Sequence, residues 1–221
     1  NYLEPLLKGK KLGSFALTEP SSGSDAKAMR TKATYQNGRY IITGSKMFIT
    51  NGTFADFVVV TAVTDPSLGM KGISLFIVDK NTPGFSVSKK LKKMGMKASE
   101  AAELVFEGCR VPASNMLGKE NTGFMAAMGT LTEGRIVAAA FAVGMARAAY
   151  DAALDYAKTR CQFGQPIGKF QGIQWMLADM ATQIEAARAL VYSCAREIDA
   201  CSKDVGKDSA MAKLFASDVA M

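Results

Sequence analysis

Two short polar segments in the first quarter of the chain carry residue types that can hold a cofactor. Residues 17–25, LTEPSSGSD, combine hydroxyl groups with a glycine in a predicted loop, and so offer O–H and backbone N–H donors to a phosphate or a heterocycle edge. Residues 44–52, GSKMFITNG, place Phe48 and Thr50 on one face of a predicted strand. A ring beside a hydroxyl suits a flavin, although a simple turn and a buried strand would show the same spacing.

The absence of histidine from all 221 residues excludes several catalytic classes. It removes Ser-His and Cys-His nucleophiles and His-ligated metal sites, so any proton chemistry must use carboxylates or a cofactor, and no metal is expected. Cys109, Cys161, Cys194 and Cys201 form no CxxC pair, and no segment resembles a signal peptide. We therefore expect reduced, buried thiols in a cytoplasmic protein, or a mitochondrial matrix protein in a eukaryote.

Composition and charge indicate an ordinary globular chain with one basic half. Hydrophobic residues make up 48% and charged residues 21%, which excludes disorder. The net charge of +7 lies in residues 1–118, which contain a lysine-rich segment, residues 89–97. That segment could meet a phosphorylated ligand or nucleic acid, but a solvated, alternating strand face is favoured. The most apolar run, residues 136–146, is too short to span a bilayer and predicts a core helix.

The elements that must position these segments change type along the chain. Short β-branched and aromatic runs with turn signals at Asn37-Gly38 and Asp65-Pro66 predict an antiparallel barrel or sandwich. The predicted strands are residues 13–17, 31–36, 40–48, 57–62, 73–78, 86–91 and 103–106.

A helical period follows, and it predicts long antiparallel helices of a bundle. The first begins at an Asn121 or Thr122 cap and runs to about residue 160, and a loop at 163–168 leads to a second over about 170–200. Asp208 is a candidate cap of a third. The fold class is α+β, with residues 1–12 as the tail of an earlier helical domain, 13–118 as the β-barrel and 119–221 as a truncated helical domain.

Five ordered motifs resemble the acyl-CoA dehydrogenase family along essentially the whole chain. They are LTEPSSGSD, KMFITNG, MGMKASEAAELVFEGCRVPASNMLG, TEGRIVAAAFAVGMARAAYDAALDYAKTR and CQFGQPIGKFQGIQWMLADMA. The resemblance implies a middle β-barrel, part of a C-terminal four-helix domain, FAD as cofactor and an acyl-CoA as substrate, with short or medium straight chains favoured by TEGRI.

The same resemblance implies which residues bind the cofactor. Residues 15–24 would contact FAD, with Thr18 at the pyrimidine side and Ser24 near both the pyrophosphate and the acyl-CoA. Phe48 stands where many members have Trp, so it would keep the stacking and lose the indole N–H, and the Thr50 hydroxyl would lie near N5. The implied FAD set is Phe15, Leu17, Thr18, Gly23, Ser24, Phe48, Ile49, Thr50, Arg160, Phe163 and Gln171.

A second set of residues implied by the resemblance meets the substrate or a neighbouring subunit. The substrate set is Ser24, Thr132, Glu133, Gly134 and Arg135. Arg160 and Gln171 would reach the FAD of a neighbouring subunit, although Gln162 replaces a threonine common in the family. A shared cofactor implies an obligate homo-oligomer, and a homotetramer built as a dimer of dimers is the expected form.

The implied reaction is α,β-dehydrogenation of an acyl-CoA thioester. A glutamate removes the Cα proton, a hydride leaves Cβ for flavin N5, and the electrons pass to an electron-transfer flavoprotein. One branch places the base where this chain has Gly134, and Glu133, one residue earlier, is rotated by about 100° around the helix. The base is therefore expected outside these residues, and no catalytic residue is assigned within them.

The sequence is also compatible with other functions. The same groups serve enoyl-CoA reduction, and relatives of this fold include acyl-CoA oxidases and flavin monooxygenases, which dioxygen reoxidises. A DNA-binding flavoprotein relative is compatible with the basic half, but the chain contains no recognisable nucleic-acid motif. We therefore expect neither nucleic acid nor a membrane as a partner.

Overall fold

The computed structural model describes residues 2–202 and 205–221. It divides the chain into two compact units, Asn1–Ala127 and Met128–Met221. The first unit holds a β-sheet and the second holds helices, which confirms the α+β class.

The first unit begins with a short helix, α1 Leu3–Leu7, and continues as strands that close over one apolar core. The strands are β1 Gly13–Ala16, β2 Lys32–Gln36, β3 Arg39–Thr50, β4 Phe57–Val63, β5 Ile73–Asp79, β6 Phe85–Lys90, β7 Ala101–Pro112 and β8 Met116–Leu117. β7 is several residues longer than the predicted strand at 103–106, and the sequence analysis did not predict β8.

The sheet is mixed, whereas the sequence predicted antiparallel strands only. Its strand order is β6-β7-β3-β2-β4-β5-β8, and β1 pairs with β4 outside this path. β1 runs parallel to residues 57–60, and Lys32 at the start of β2 pairs in parallel with Val63. β1 and β2 therefore pair with successive lengths of β4, and the loop that joins them, residues 17–31, is anchored to the sheet at both ends.

The predicted turn at Asn37-Gly38 closes the β2–β3 hairpin. Gln36 pairs with Arg39, so the loop has two residues, and Asn37 and Gly38 have φ angles of +48° and +77°. Two left-handed residues give the tight turn whose twist matches the flanking strands, which explains the Asn-Gly sequence.

Small residues dominate the core of the second unit. Its helices are α2 Gly123–Thr159, which starts in the first unit, α3 Gln171–Asp199 and α4 Val205–Ala220. A two-residue hairpin, β9 Cys161–Gln162 with β10 Gln165–Pro166, joins α2 to α3. The buried cluster is Ile136, Ala139, Ala142, Ala187, Val191, Cys194, Ala212 and Ala216. Alanines at these positions bring the helix axes close together.

Three expectations about this unit and the thiols were wrong. Asp208 lies inside the first turn of α4 and is not its N-cap, because the helix already begins at Val205. Cys161 and Cys201 are exposed, and only Cys109 and Cys194 behave as buried apolar residues. By length and composition, α2 would pass as a membrane span, contrary to the estimate from its most apolar run, although a core helix of a helical domain passes the same test.

Gly123 is required where α2 begins against β5. A Cβ built there would lie 2.5 Å from the carbonyl carbon of Ser74 and 2.7 Å from the nitrogen of Leu75. Gly123→Ala should therefore lower the free energy of unfolding by about 1–3 kcal/mol, because backbone must move to admit the methyl group. Urea unfolding measures this change.

Gly129→Ala is the matched control in the same helix, since a Cβ at Gly129 meets nothing within 4 Å. It should raise the free energy of unfolding by up to about 1 kcal/mol, as expected for Gly to Ala in an exposed helix. Equal effects of the two substitutions would show that the start of α2 is not held against β5 as described.

Candidate functional site

A buried ion pair joins the two polar segments singled out from the sequence. Lys46 in β3 is fully buried, and its Nζ donates to Glu19 Oε1 at 2.9 Å. The same ammonium donates to the Leu17 carbonyl at 3.0 Å and to Thr61 Oγ1 at 2.9 Å. An ammonium has three N–H donors, so every donor of this buried charge is satisfied.

Glu19 fixes the loop from the other side of the pair. Its carboxylate accepts from the backbone N–H of Arg30 at 2.6 Å and of Thr31 at 3.0 Å, so it ties the start of the loop to the start of β2. This confirms the interpretation that Glu19 sets loop geometry. A further bond from the Met47 N–H to the Thr18 carbonyl, 2.8 Å long, attaches the loop directly to β3.

Both members of the pair are ionised at pH 7. Burial lowers the pKa of Lys46 to about 8, against the opposing effect of the Glu19 carboxylate. For Glu19, burial alone would raise the pKa, but the Lys46 ammonium and the N–H donors of Arg30 and Thr31 outweigh it, and the pKa lies below its ordinary value. The charged form of the pair therefore predominates at neutral pH.

The outer side of the loop is left with unused donors. In residues 2–202 and 205–221, no protein group accepts a hydrogen bond from the backbone N–H of Thr18, Gly23 or Ser24. Gly23 and Ser24 are exposed, and Thr18 is half-buried. A tight turn between Glu19 and Ser22, closed by bonds of 2.9 and 3.1 Å, holds this segment in shape. The loop therefore presents fixed N–H groups outward.

Phe48 projects from a bulge in β3, next to this loop. The β3–β7 register shifts between Lys46 and Ile49, and Phe48 adopts a φ of +62°. Its ring is 65% exposed, which is unusual for so large an apolar side chain. Thr50 is also exposed while Ile49 is buried, so the prediction that Phe48 and Thr50 share a face is confirmed.

The other predicted FAD residues of this unit differ in how far their side chains are exposed. Phe15 and Leu17 are half-buried on the open side of β1 and just after it. The Ile49 side chain is 3% exposed and belongs to the sheet core, so only its backbone is available to a ligand.

A basic groove lies beside Phe48 and Thr50. It has a volume of about 710 Å³ and is lined by these two residues, residues 89–93 and Ala101. Lys90 is paired with Glu100, whereas within the described residues no ion pair involves Lys89, Lys92 or Lys93. The expected solvent exposure is confirmed for Lys89 and Lys90, but the expected alternation is wrong, because these neighbours in β6 are both exposed and the other lysines follow the strand. The groove offers a net positive charge to an anionic ligand.

The predicted substrate residues of α2 form one exposed turn of the second unit. The Thr132 hydroxyl donates to the Met128 carbonyl at 3.0 Å and accepts from Arg135 Nη1 at 3.4 Å. Glu133, Gly134 and Arg135 are exposed, and a Cβ at Gly134 would meet nothing within 4 Å. No contact inside the described chain therefore requires a glycine at 134.

The predicted FAD residues of the second unit lie in or next to the β9–β10 hairpin, and two of them, Arg160 and Gln171, were predicted to reach the FAD of a neighbouring subunit. Arg160, Phe163 and Gln171 are all exposed, and Phe163 is 92% exposed with a φ of +53°. Such a ring on the tip of a hairpin is available to a partner.

Lys46 and Thr61 are the residues that the sequence analysis missed. Lys46 lies four positions after the buried Ile42 in one strand, so a charge falls on the inward side. A charged residue at an inward position requires a buried partner, and that signal could have identified the pair. Among the described residues, no cluster of acidic and sulfur side chains could hold a metal ion.

Comparison with known protein families gives two matches that together cover most of the chain. Residues 14–109 match the acyl-CoA dehydrogenase middle domain, and residues 121–221 match the acyl-CoA dehydrogenase C-terminal domain. An acyl-CoA dehydrogenase of Bacillus subtilis strain 168 is 53% identical over 220 residues, which are 100% of this chain and 58% of that protein. The chain thus spans a little over half the length of the relative it matches.

Solved structures show the same relationship. Butyryl-CoA dehydrogenase of Megasphaera elsdenii is 51% identical with a TM-score of 0.94, over 99% of this chain and 57% of that one. A chain solved in work on the electron transferring flavoprotein of Acidaminococcus fermentans and flavin-based electron bifurcation is 53% identical, with a TM-score of 0.94 over the same shares.

Removing one partner of the buried pair should be far more damaging than removing both. Lys46→Met leaves the Glu19 carboxylate buried without its cation, and we expect the free energy of unfolding to fall by ~3–5 kcal/mol. The double variant Glu19→Gln with Lys46→Met leaves no unpaired charge and should recover most of that loss. Urea unfolding of the three proteins measures the coupling.

The same pair should make stability depend on acid. The pKa of Glu19 is lowered in the folded state, so its stabilisation is present above the ordinary glutamate pKa of about 4.3 and is lost as the pH falls through the folded-state value. The unfolding free energy of the double variant should fall less between pH 7 and pH 3. The exposed Lys8–Glu4 pair is the control, because Glu4→Gln should alter neither measurement. Parallel acid curves for parent and double variant would contradict the assignment.

Proposed function

Because the chain belongs to the acyl-CoA dehydrogenase family, we propose that the protein dehydrogenates short acyl-CoA thioesters at the α,β bond with FAD as cofactor. Butyryl-CoA dehydrogenase, a structural neighbour at 51% identity, supports the short-chain assignment.

The observation that carries the proposal is the direct joining of the two cofactor segments. Bonds from Lys46 to Leu17 and Glu19, and from Met47 to Thr18, hold the loop of residues 17–25 against the strand that presents Phe48. Thr18, whose N–H has no acceptor in the described residues, is thereby held beside the strand that carries the exposed Phe48 ring and the exposed Thr50. These are the groups that a flavin with a polar edge and a flat face requires.

The residues present also fit a dinucleotide cofactor in charge. The N–H groups of Gly23 and Ser24 can bind phosphate oxygens. Of the four lysines that line the groove beside Phe48, only Lys90 has an ion-pair partner in the described chain. Bound FAD would supply the hydride acceptor. The chain's own contribution is to orient it, through Thr18 and Phe48 in particular.

The substrate residues proposed on α2 are Thr132, Glu133, Gly134 and Arg135. Arg135 contributes a cation that suits the phosphates of coenzyme A, and open space at Gly134 suits the close approach of a ligand. Glu133 is exposed and one position from the place where a base would be needed, so we assign the proton-abstracting carboxylate to a part of the protein outside this chain.

Two kinds of protein partner are proposed. The first is an electron-transfer flavoprotein. This proposal is supported by the similarity of this chain to one from a structural study of the electron transferring flavoprotein of Acidaminococcus fermentans. The second is another copy of this protein, arranged as a homotetramer. The exposed Arg160, Phe163 and Gln171 support a cofactor site completed by a neighbouring subunit.

We also propose that the protein is located in the cytoplasm.

An anaerobic titration of the full-length protein with saturated acyl-CoA thioesters tests the proposed function. Four-carbon thioesters should bleach the absorbance band of oxidised flavin, because electrons from the substrate then remain on the cofactor. Branched and long-chain thioesters serve as the comparison and should bleach it less. A protein that binds flavin but stays oxidised with every thioester would overturn the dehydrogenase assignment and favour an oxidase or monooxygenase of the same fold.

Gly134→Ala separates a ligand role from a structural role on α2. The added methyl group meets no protein atom within 4 Å, so the helix should gain up to about 1 kcal/mol of stability. If the substrate approaches the helix there, the KM for the acyl-CoA should rise several-fold. Steady-state kinetics and urea unfolding of the same preparation give both values.

Gly129→Ala again provides the control, since its position is equally open and lies on another face of the helix. It should give the same gain in stability with an unchanged KM. If Gly134→Ala also leaves KM unchanged, the substrate does not lie against this turn.

A further inference from the structure

The peptide unit between Leu17 and Thr18 has a fixed orientation in the loop. Every described peptide bond is trans, so the C=O and N–H of one unit point to opposite sides. The Leu17 carbonyl is directed inward to Lys46 Nζ at 3.0 Å. The Thr18 N–H of the same unit is therefore directed outward, and no group in residues 2–202 and 205–221 accepts a hydrogen bond from it.

Three successive carbonyls of this segment are held by three different donors. The Ala16 carbonyl accepts from Thr61 Oγ1 at 3.2 Å, and the Thr18 carbonyl accepts from the Met47 N–H at 2.8 Å. Between them, the Leu17 carbonyl accepts from a side chain, Lys46. Ala16 is also paired with Val60 in the β1–β4 ladder, and the Thr18 carbonyl accepts from backbone. Of the three, the Leu17–Thr18 peptide unit is therefore the one outside the strands whose orientation rests on a side chain, and a substitution can remove that dependence.

We propose that Lys46 is a positioning residue for the flavin, since its ammonium holds the Leu17 carbonyl inward and so aims the Thr18 N–H at the bound cofactor. This inference rests on the proposed function. Lys46 does not touch the cofactor itself, because it acts through the backbone of residues 17 and 18.

Burial makes this action effective. Lys46 is 0% exposed and Glu19 is 4% exposed, so water cannot replace the ammonium at the Leu17 carbonyl. The charges of the pair cancel at a distance, because Nζ and Oε1 are 2.9 Å apart. The influence of Lys46 on a ligand therefore passes through the orientation of the peptide unit and not through its net charge.

The experiment compares three variants of the full-length protein in FAD affinity and in the midpoint potential of the bound flavin. In both Lys46→Met and the double variant Glu19→Gln with Lys46→Met, the dissociation constant for FAD should rise about tenfold, as for the loss of one well-oriented hydrogen bond. The potential should become more negative, because a donor to the electron-rich reduced ring is lost. Val78→Ala, in the core of β5, is the control and should change neither value.

The double variant distinguishes positioning from stability. A purely structural Lys46 predicts that the double variant, once its stability has recovered, regains the parental FAD affinity and potential. Positioning predicts that stability recovers while both values stay shifted. If Lys46→Met does not fold, the double variant alone decides between the two.

Failure of this inference differs from failure of the proposed function. A parent protein that binds FAD and is bleached by acyl-CoA, with variants that keep its affinity and potential, overturns only the positioning role. A parent protein that binds no FAD overturns the proposed function and this inference together.

Discussion

A lysine ammonium that is fully withdrawn from water determines the arrangement of the loop of residues 17–31 and of the part of β3 beside it. Transfer of one ion from water to the protein interior costs several kcal/mol even after the protein relaxes. A counter-ion and a complete set of hydrogen-bond acceptors must therefore compensate this desolvation penalty. Lys46 receives these from Glu19, Leu17 and Thr61, which belong to the loop and to β4. Within the described residues, no buried side-chain nitrogen or oxygen atom lacks a partner. The loop has this shape because the charge requires it.

The same pairing separates an inner from an outer face. Acceptors of residues 16–18 are used by Thr61, Lys46 and Met47, and the donors of Thr18, Gly23 and Ser24 are left outward. Immediately after Lys46 and Met47, the bulge turns Phe48 outward with a positive φ, which costs of order 1–3 kcal/mol for a residue other than glycine. Strain and exposure of this kind persist where surrounding structure fixes them, and β7 pairing on both sides of the bulge does so here.

Sequence patterns predicted where strands and helices lie in the chain better than they predicted which strands pair and in which direction. Alternation identified most strands within one or two residues, and the helical period located α2 and α3, because burial on one face leaves a direct trace in the sequence. Strand direction leaves no such trace, so the parallel pairings of β1 and β2 with β4 were missed. The pairing of Lys46 with Glu19 leaves no periodic trace either, because it joins residues 27 positions apart in the chain. The Cys161 and Asp208 errors arose in a hairpin and at a helix start, where local turn geometry overrides residue preference.

The two units hold their proposed ligand residues in different ways. In the first unit, the loop of residues 17–31 is held rigidly, because the buried Lys46–Glu19 pair fixes its backbone and is out of reach of water. The second unit packs α2, α3 and α4 through small residues, while its predicted ligand residues, such as Arg135 and Arg160, remain on the surface. Exposed arginines lose little when they change partners, because they remain solvated in either state. In the first unit, backbone donors of fixed orientation would therefore define the proposed flavin contacts, whereas in the second unit the proposed contacts to substrate and to another subunit would be made by adaptable side chains.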